Sequence, residues 1–245
     1  MQPRFRMFAG PNGSGKTVLF THLRNKSYIH TELYISADRI EQDLKIYHKF
    51  FFSSYRVKVT ENEFMVYTKT SGLFQKLSDT SFLDRISIKS GVLTIANEKN
   101  LINSYVASFI ATYLCEKLFS TSQSFCFETV LSHPSKFELF EKAKNAGYKT
   151  YLYFVCTDNW KLNVERVKLR VKEGGHDVDH KKIESRYFRS LKNFKQAAYS
   201  ADSSFLIDNS KDFTLLAELK GGKVNYTADP FPGWFRPYFD PKSDC

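Results

Sequence analysis

Residues Gly10-Pro11-Asn12-Gly13-Ser14-Gly15-Lys16-Thr17 fit the pattern G-x-x-x-x-G-K-[ST] without a mismatch. The residue types and their spacing suit a loop that grips phosphate. Glycines let the backbone curl until several N–H groups converge on one point, and a helix starting there adds its partial positive charge. Lys16 would reach the β- and γ-phosphates of a nucleotide, and Thr17 would hold Mg2+. The flanks agree with this chemistry. Phe5–Ala9 reads as a short buried strand, and Thr17–Leu23 as the first turns of an amphipathic helix. An ordinary glycine-rich turn does not require that strand–loop–helix context.

Other residues could serve the same chemistry. Asp38 follows a strand expected at about Glu32–Ser36, where a carboxylate can take or orient the proton of an attacking hydroxyl. The same residue would also serve as a plain helix N-cap. Glu128 ends the apolar run Ser124–Phe127 and could bind acceptor hydroxyls or Mg2+ water, or act as a capping carboxylate. Arg166 and Arg170 are one helical turn apart and share a face. Their guanidinium forks can hold phosphate oxygens bidentately, although Lys168 and Lys172 beside them also fit a solvated face. On the next helix, Arg186 or Arg189 could contact phosphate while the other pairs with Glu184. His176 follows Gly174-Gly175, as a closing lid or a surface loop would have it.

These groups need a frame. Helices are expected over Leu101–Phe119, from Pro134 to about Asn145 with Gly147 as its stop, and over Leu162–Lys172 and Ile183–Ala198. Thr150–Cys156 reads as a central strand and Ser204–Ile207 as the last one. Strands alternating with helices imply an α/β fold of three layers, a mostly parallel sheet with helices on both faces. Ligands in such folds bind at the carboxyl ends of the strands, which groups the loop, Asp38, Glu128 and Asp158 at one edge. Residues of about 41–100 form an insertion after the second strand, read as a β-hairpin or a broken helix. Its Phe50-Phe51-Phe52 and Tyr55 are expected in a core. The main domain is expected to run over 1–220. Residues 221–245, with four prolines among aromatics, read as a tail outside the sheet.

The chain has 245 residues, enough for one large domain or a domain with a sizeable insertion. Its apolar runs are far short of a membrane span, and no secretory leader precedes the first strand, so a cytoplasmic protein with no membrane partner is expected. Cys115, Cys126 and Cys156 read as core thiols, with neither disulfide nor zinc expected. The net charge of +10 is densest between about Lys161 and Lys195. A polyphosphate ligand explains that position, and nucleic acid stays open as a partner. There is no L-S-G-G-Q-type signature of transporter ATPases and no [NT]-K-x-D guanine motif at a strand end. A phosphate loop with many arginines points to a small kinase.

Four segments carry a family resemblance. Phe127-Glu128-Thr129-Val130-Leu131-Ser132 resembles the E-T-T-L-S segment of the zeta-toxin-like P-loop kinases, and Ala143–Tyr148 their A-x-x-x-G-Y helix end. The stretch from Arg166-Val167 and Arg170-Val171 through Gly174-Gly175-His176 to Arg186-Tyr187-Phe188-Arg189-Ser190-Leu191-Lys192-Asn193 resembles the arginine block of the compact stand-alone branch. Asp208-Asn209-Ser210 matches its D-N-S. The resemblance covers about residues 4–38 and 101–212 and implies ATP- or GTP-dependent phosphoryl transfer with Mg2+. In characterised zeta toxins the acceptor is a hydroxyl of UDP-N-acetylglucosamine, so a small nucleotide-type acceptor is implied here. An antitoxin protein is an implied partner.

By the same resemblance, Asp38 matches the family's acid and Arg166 the first of its two phosphate-sensing arginines. The second falls near Gly175-His176, where this chain has none, and Arg170 or Arg186 would substitute. Glu128, Thr129 and His176 fall on the acceptor side and Asn209 near the base. Two other activities remain compatible with the sequence: a nucleotide switch that hydrolyses ATP without an acceptor, and a kinase directed at nucleic acid.

Overall fold

The computed structural model describes residues 2–70, 81–98, 101–175 and 177–239. The chain divides into two compact units, one of residues 1–34 with 124–245 and the other of residues 35–123.

The first unit is built on a seven-stranded sheet in the order β10-β9-β8-β7-β1-β6-β2. Its strands are β1 (Arg4–Ala9), β2 (Tyr34–Ser36, at the unit boundary), β6 (Phe125–Thr129), β7 (Lys149–Cys156), β8 (Ser203–Asp208), β9 (Thr214–Lys220) and β10 (Lys223–Tyr226). β1 pairs in parallel with β6 and β7, and β7 with β8. The helices are α1 (Lys16–Asn25), α5 (Glu138–Asn145), α6 (Trp160–Lys172) and α7 (His180–Ser200). The α/β class expected from the alternating pattern is the one observed.

Alternation along the strands assigns the helices to faces. Phe8, Tyr153 and Phe205 line one face, with Tyr153 stacked on Phe8 at 4.8 Å and on Phe205 at 5.0 Å. Phe20 of α1 meets Phe8 edge-on there at 5.6 Å. The other face carries Phe5 and Phe154. Phe140 of α5 packs edge-on to Phe5 at 5.8 Å, and Phe194 of α7 stacks on Phe154 at 4.7 Å. Parallel register then brings the strands' carboxyl ends to one edge, pairing Phe8 with Glu128, Ala9 with Thr129, and Cys156 with Asp208.

The C-terminal part differs from expectation. Ser204–Ile207 is not in the last strand, because β9 and β10 follow it as antiparallel additions. Residues 223–226 are therefore part of the sheet. Beyond them Trp234, Phe235 and Phe239 are buried and pack around Phe194, on the α7 face. Prolines correctly mark this segment as irregular, but its large aromatics give it more to gain from burial than from solvent.

The second unit holds α2 (Ala37–Tyr47), β3 (Lys49–Phe51), α3 (Glu61–Thr70), β4 (Ile86–Lys89), β5 (Val92–Ile95) and α4 (Ser104–Phe119). Its three strands form an antiparallel sheet in the order β3-β5-β4. A hairpin and a helix are thus both present in the stretch read as one or the other. The unit also extends beyond the 41–100 boundaries, because α2 and α4 pack on each other within it. Phe52, Phe64, Phe109 and Tyr113 form its aromatic core. Phe50 and Phe52 are buried as expected, whereas Phe51 points out of the pleat and is exposed. Burial pushes the Tyr55 and Tyr113 phenols up to about 12.

Cys115, Cys126 and Cys156 are buried thiols that form no disulfide among the described residues. Burial holds the Cys126 thiol up at about 12 and Cys156 higher still, which leaves both unreactive. Among the described residues no helix is long and apolar enough to cross a membrane.

Candidate active site

The loop Gly10–Gly15 leaves the end of β1 and enters α1 at Lys16. Gly15 stands at the helix N-cap in the left-handed region (φ 99°), with no side chain capping the helix and no acid in its first turn. The first-turn N–H groups therefore point at the loop without an internal acceptor, and the helix dipole adds positive potential. Ser14 Oγ is buried inside the loop with no hydrogen-bond partner among the described residues. Such a hydroxyl is costly unless a ligand oxygen satisfies it. These features fit a polyphosphate.

The loop is walled closely. A Cβ at Gly13 (φ 77°) would stand 2.6 Å from the Asn163 carbonyl oxygen of α6. One at Gly15 would collide with the Asn209 side-chain amide. Pro11 and Asn12 are buried between these walls. Only glycine lets the loop turn this sharply against its neighbours.

Four groups converge on the loop. Lys16 is buried, and its Nζ donates to the carbonyls of Gly10 at 2.9 Å and Pro11 at 2.8 Å. The ammonium is thus folded over the loop, 3.9 Å from Glu128 Oε1. The Thr17 hydroxyl donates to Glu128 Oε2 at 3.0 Å, and the Tyr34 hydroxyl donates to the same oxygen. Tyr34 is held for this by stacking on Phe20 of α1 at 4.1 Å. Glu128 sits one residue from the end of β6, directly beside β1. Its carboxylate thus faces the Thr17 and Tyr34 hydroxyls at the start of α1.

The remaining wall comes from β8. Asn209 Nδ2 donates to the Ser14 carbonyl at 2.8 Å. Arg166 of α6 reaches the same turn, donating from Nη1 to the Asn209 carbonyl at 2.8 Å and from Nη2 to that of Ser210 at 3.3 Å. Tyr187 of α7 donates to the carbonyls of Thr157 (2.8 Å) and Asp158 (3.1 Å), tying α7 to the end of β7. Burial pushes its phenol far above the ordinary value, so it remains a donor.

The other expected residues are placed differently. Arg170 lies against the Gly174-Gly175 link, with Gly175 N–H bonded to its carbonyl at 2.9 Å. Arg186 is half-buried and makes no hydrogen bond or ion pair among the described residues. Arg189 donates to the Ser185 carbonyl at 3.3 Å, and neither arginine pairs with Glu184 among the described residues. Thr129 Oγ1 accepts from Leu131 N–H at 3.3 Å, so its hydroxyl shapes the turn after β6. His176 lies outside the described residues. Asp38 belongs to the second unit, where it occupies the first turn of α2; the N-cap itself is Ser36. The sequence reading missed Tyr34, whose only signal was an aromatic opening a strand. It also missed the carboxylate of Asp208 as the organiser of the Asn209 turn.

Residues 99–217 match the Zeta toxin family model. Over that span the chain is similar to the Zeta toxin family. The matched span begins well past the phosphate loop, so loop and family match are independent observations. Among solved structures, a chain of the AvrRxo1-ORF1:AvrRxo1-ORF2 complex with ATP has TM-score 0.58 at 15% identity, covering 92% of this chain and 60% of that one. The same complex with sulphate ions gives TM-score 0.57 at 15% identity, with 92% and 61% covered. The PezAT toxin–antitoxin system of Streptococcus pneumoniae gives TM-score 0.48 at 14% identity, with 87% and 70% covered. This chain therefore spans about 60% of the AvrRxo1 chains it matches, and the likeness is one of fold. No curated protein gives a significant match.

Proposed function

We propose that this zeta-toxin-like chain is an ATP-dependent phosphotransferase acting on a hydroxyl of a small nucleotide-type acceptor, with UDP-N-acetylglucosamine the first to test. The observation that carries the reading is the convergence of Lys16, Thr17–Glu128 and Arg166 with Asn209 on one uncapped helix N-terminus. The AvrRxo1 neighbour solved with ATP supports the choice of nucleotide.

The residues divide the work by chemistry. The Gly10–Thr17 amides hold the β-phosphate, and Lys16 neutralises charge toward the γ-position. Thr17 and Glu128 would hold Mg2+, directly or through its water; the hydrogen bonds of Thr17 and Tyr34 to the Glu128 carboxylate support this reading. Bound MgATP supplies the phosphoryl group and a metal that spreads its charge. Arg166 stands at the turn beside the loop, and we assign it the role of charge stabiliser during transfer. Arg170, Arg186 and His176 are proposed as further contributors from the arginine block. Asp38 is proposed to take or orient the acceptor's proton, and Glu128 and Thr129 are proposed to bind the acceptor. Asn209 is proposed to flank the base.

A neutralising protein partner is proposed by the same likeness, since the AvrRxo1 neighbour was solved as a complex of two different chains. The activity test is incubation with labelled ATP against nucleotide sugars, nucleotides, dinucleotides and short RNA, read by acceptor mass. Label appearing on a small acceptor supports the reading. Phosphate release that ignores every acceptor would instead make the chain an ATPase, and label on RNA would redirect it to nucleic acid.

A further inference from the structure

The turn Asp208-Asn209-Ser210 grips the phosphate loop and Arg166 at once, so whatever fixes that turn fixes the site. Its anchor is the Asp208 carboxylate. Oδ2 accepts from Ser210 N–H at 3.0 Å, and Oδ1 accepts from Ser210 Oγ at 2.8 Å. Ser210 Oγ in turn accepts from Asp158 N–H at 2.8 Å, which links the ends of β7 and β8. The remaining donor to Oδ1 comes from far along the chain. Trp234 Nε1–H reaches it at 2.7 Å, from an indole only 4% exposed. That indole is itself wedged against Phe154 at 6.0 Å and Phe194 at 5.8 Å.

We propose that the C-terminal segment is a working part of the nucleotide site, with Trp234 as a positioning residue. Its indole N–H holds Asp208, Asp208 holds the Asn209–Ser210 turn, and the turn holds both the Ser14 carbonyl and the Arg166 fork. The proposal rests on the nucleotide-binding reading given above. A carboxylate oxygen with a buried, charge-assisted donor on each side is fixed in rotamer. Without the indole donor, the Asp208 carboxylate keeps, among the described residues, its bonds to Ser210 within its own turn. Among the described residues the hydrogen bond of the Trp234 indole goes to Asp208, so it acts through Asp208.

The test is binding of a fluorescent ADP analogue (N-methylanthraniloyl-ADP) with Mg2+ to the full chain, alongside thermal melting. W234F keeps an aromatic ring between Phe154 and Phe194 and removes only the donor. Its Kd is expected to rise roughly three- to tenfold, the scale of one hydrogen bond to a charged group passed in part to the site. Its melting temperature should fall by only a few degrees. D208N should weaken binding in the same direction, and W234F/D208N no further than the worse single variant, because both cut one link. W234F binding as tightly as the wild type overturns the proposal. So does a double variant whose losses multiply. Should W234F fail to fold, W234H, which restores a ring N–H, and D208N decide the matter: D208N binding normally overturns it. If the wild-type chain itself fails to bind the analogue, the nucleotide reading falls; if it binds and W234F matches it, this inference alone falls.

Discussion

Lys16 and Asp38 separate two kinds of contribution to the proposed reaction. The Lys16 ammonium is held over the loop by two backbone carbonyls and balanced by Glu128 at 3.9 Å. K16A should therefore cut transfer by about a hundredfold or more, the scale for losing one preorganised charge stabiliser. The fold should survive, as shown by unchanged circular dichroism, because α1 keeps Leu19 and Phe20 in the core. Full activity in K16A would contradict the account. Asp38 tests a different step. D38A should lower kcat by roughly 10²–10⁴, as for loss of a general base, with little change in the KM for ATP. A change confined to ATP binding would remove Asp38 from the proton's path. At this scale the sequence was most legible in the loop, where each residue has a position-specific job. It was least legible for Tyr34 and Asp208, whose roles depend on neighbours distant in sequence. Arg186 shows the converse: its type fits phosphate, yet no strand end or turn among the described residues engages it.

At the level of elements, parallel register does the assembling. β1, β6, β7 and β8 end together, so the phosphate loop, Glu128, Asp158 and Asp208 share an edge without any sequence adjacency. Alternation and helical spacing were enough to foresee α4, α6, α7 and β7 to within a few residues: α6 and α7 bury one face, while α4 and the end of β7 are long apolar runs. β10 was missed for a physical reason. Antiparallel strands at a sheet edge, such as Lys223–Tyr226, alternate between half-buried and exposed and carry little apolar signal. At the opposite ends of the strands, Thr150 and Asp202 form a clasp. Asp202 Oδ2 accepts from Thr150 N–H at 2.8 Å and from its hydroxyl at 2.9 Å, while that hydroxyl accepts from Asp202 N–H at 2.9 Å. Burial alone would raise the Asp202 carboxyl, but the Thr150 bonds and the Lys144 ammonium outweigh it and hold it below the usual value. A depressed carboxyl stabilises the fold above its unfolded pKa of about 4 and loses that contribution as pH falls through the lower folded value. D202N should thus melt earlier than wild type at pH 7, with the gap closing in acid. A gap that stays constant down to pH 2 would contradict this.

The whole molecule places its C-terminal segment against its own core. Trp234, Phe235 and Phe239 cover Phe194 of α7, so residues 227–239 are a structural layer. Deleting them after Tyr226 should cost several kcal/mol, about 1.5–3 for each large buried side chain exposed or lost. Thermal melting of the truncated chain checks this, and a wild-type melting temperature would contradict it. The central claim concerns transfer, and the most direct measurement follows the γ-phosphate. The full chain is incubated with γ-labelled ATP, Mg2+ and the acceptor panel, with K16A and D38A in parallel. The account predicts an acceptor gaining the mass of one phosphoryl group, with label moving onto it in the wild type and neither variant matching that rate. Label released only as inorganic phosphate, at the same rate with and without every acceptor, would contradict it.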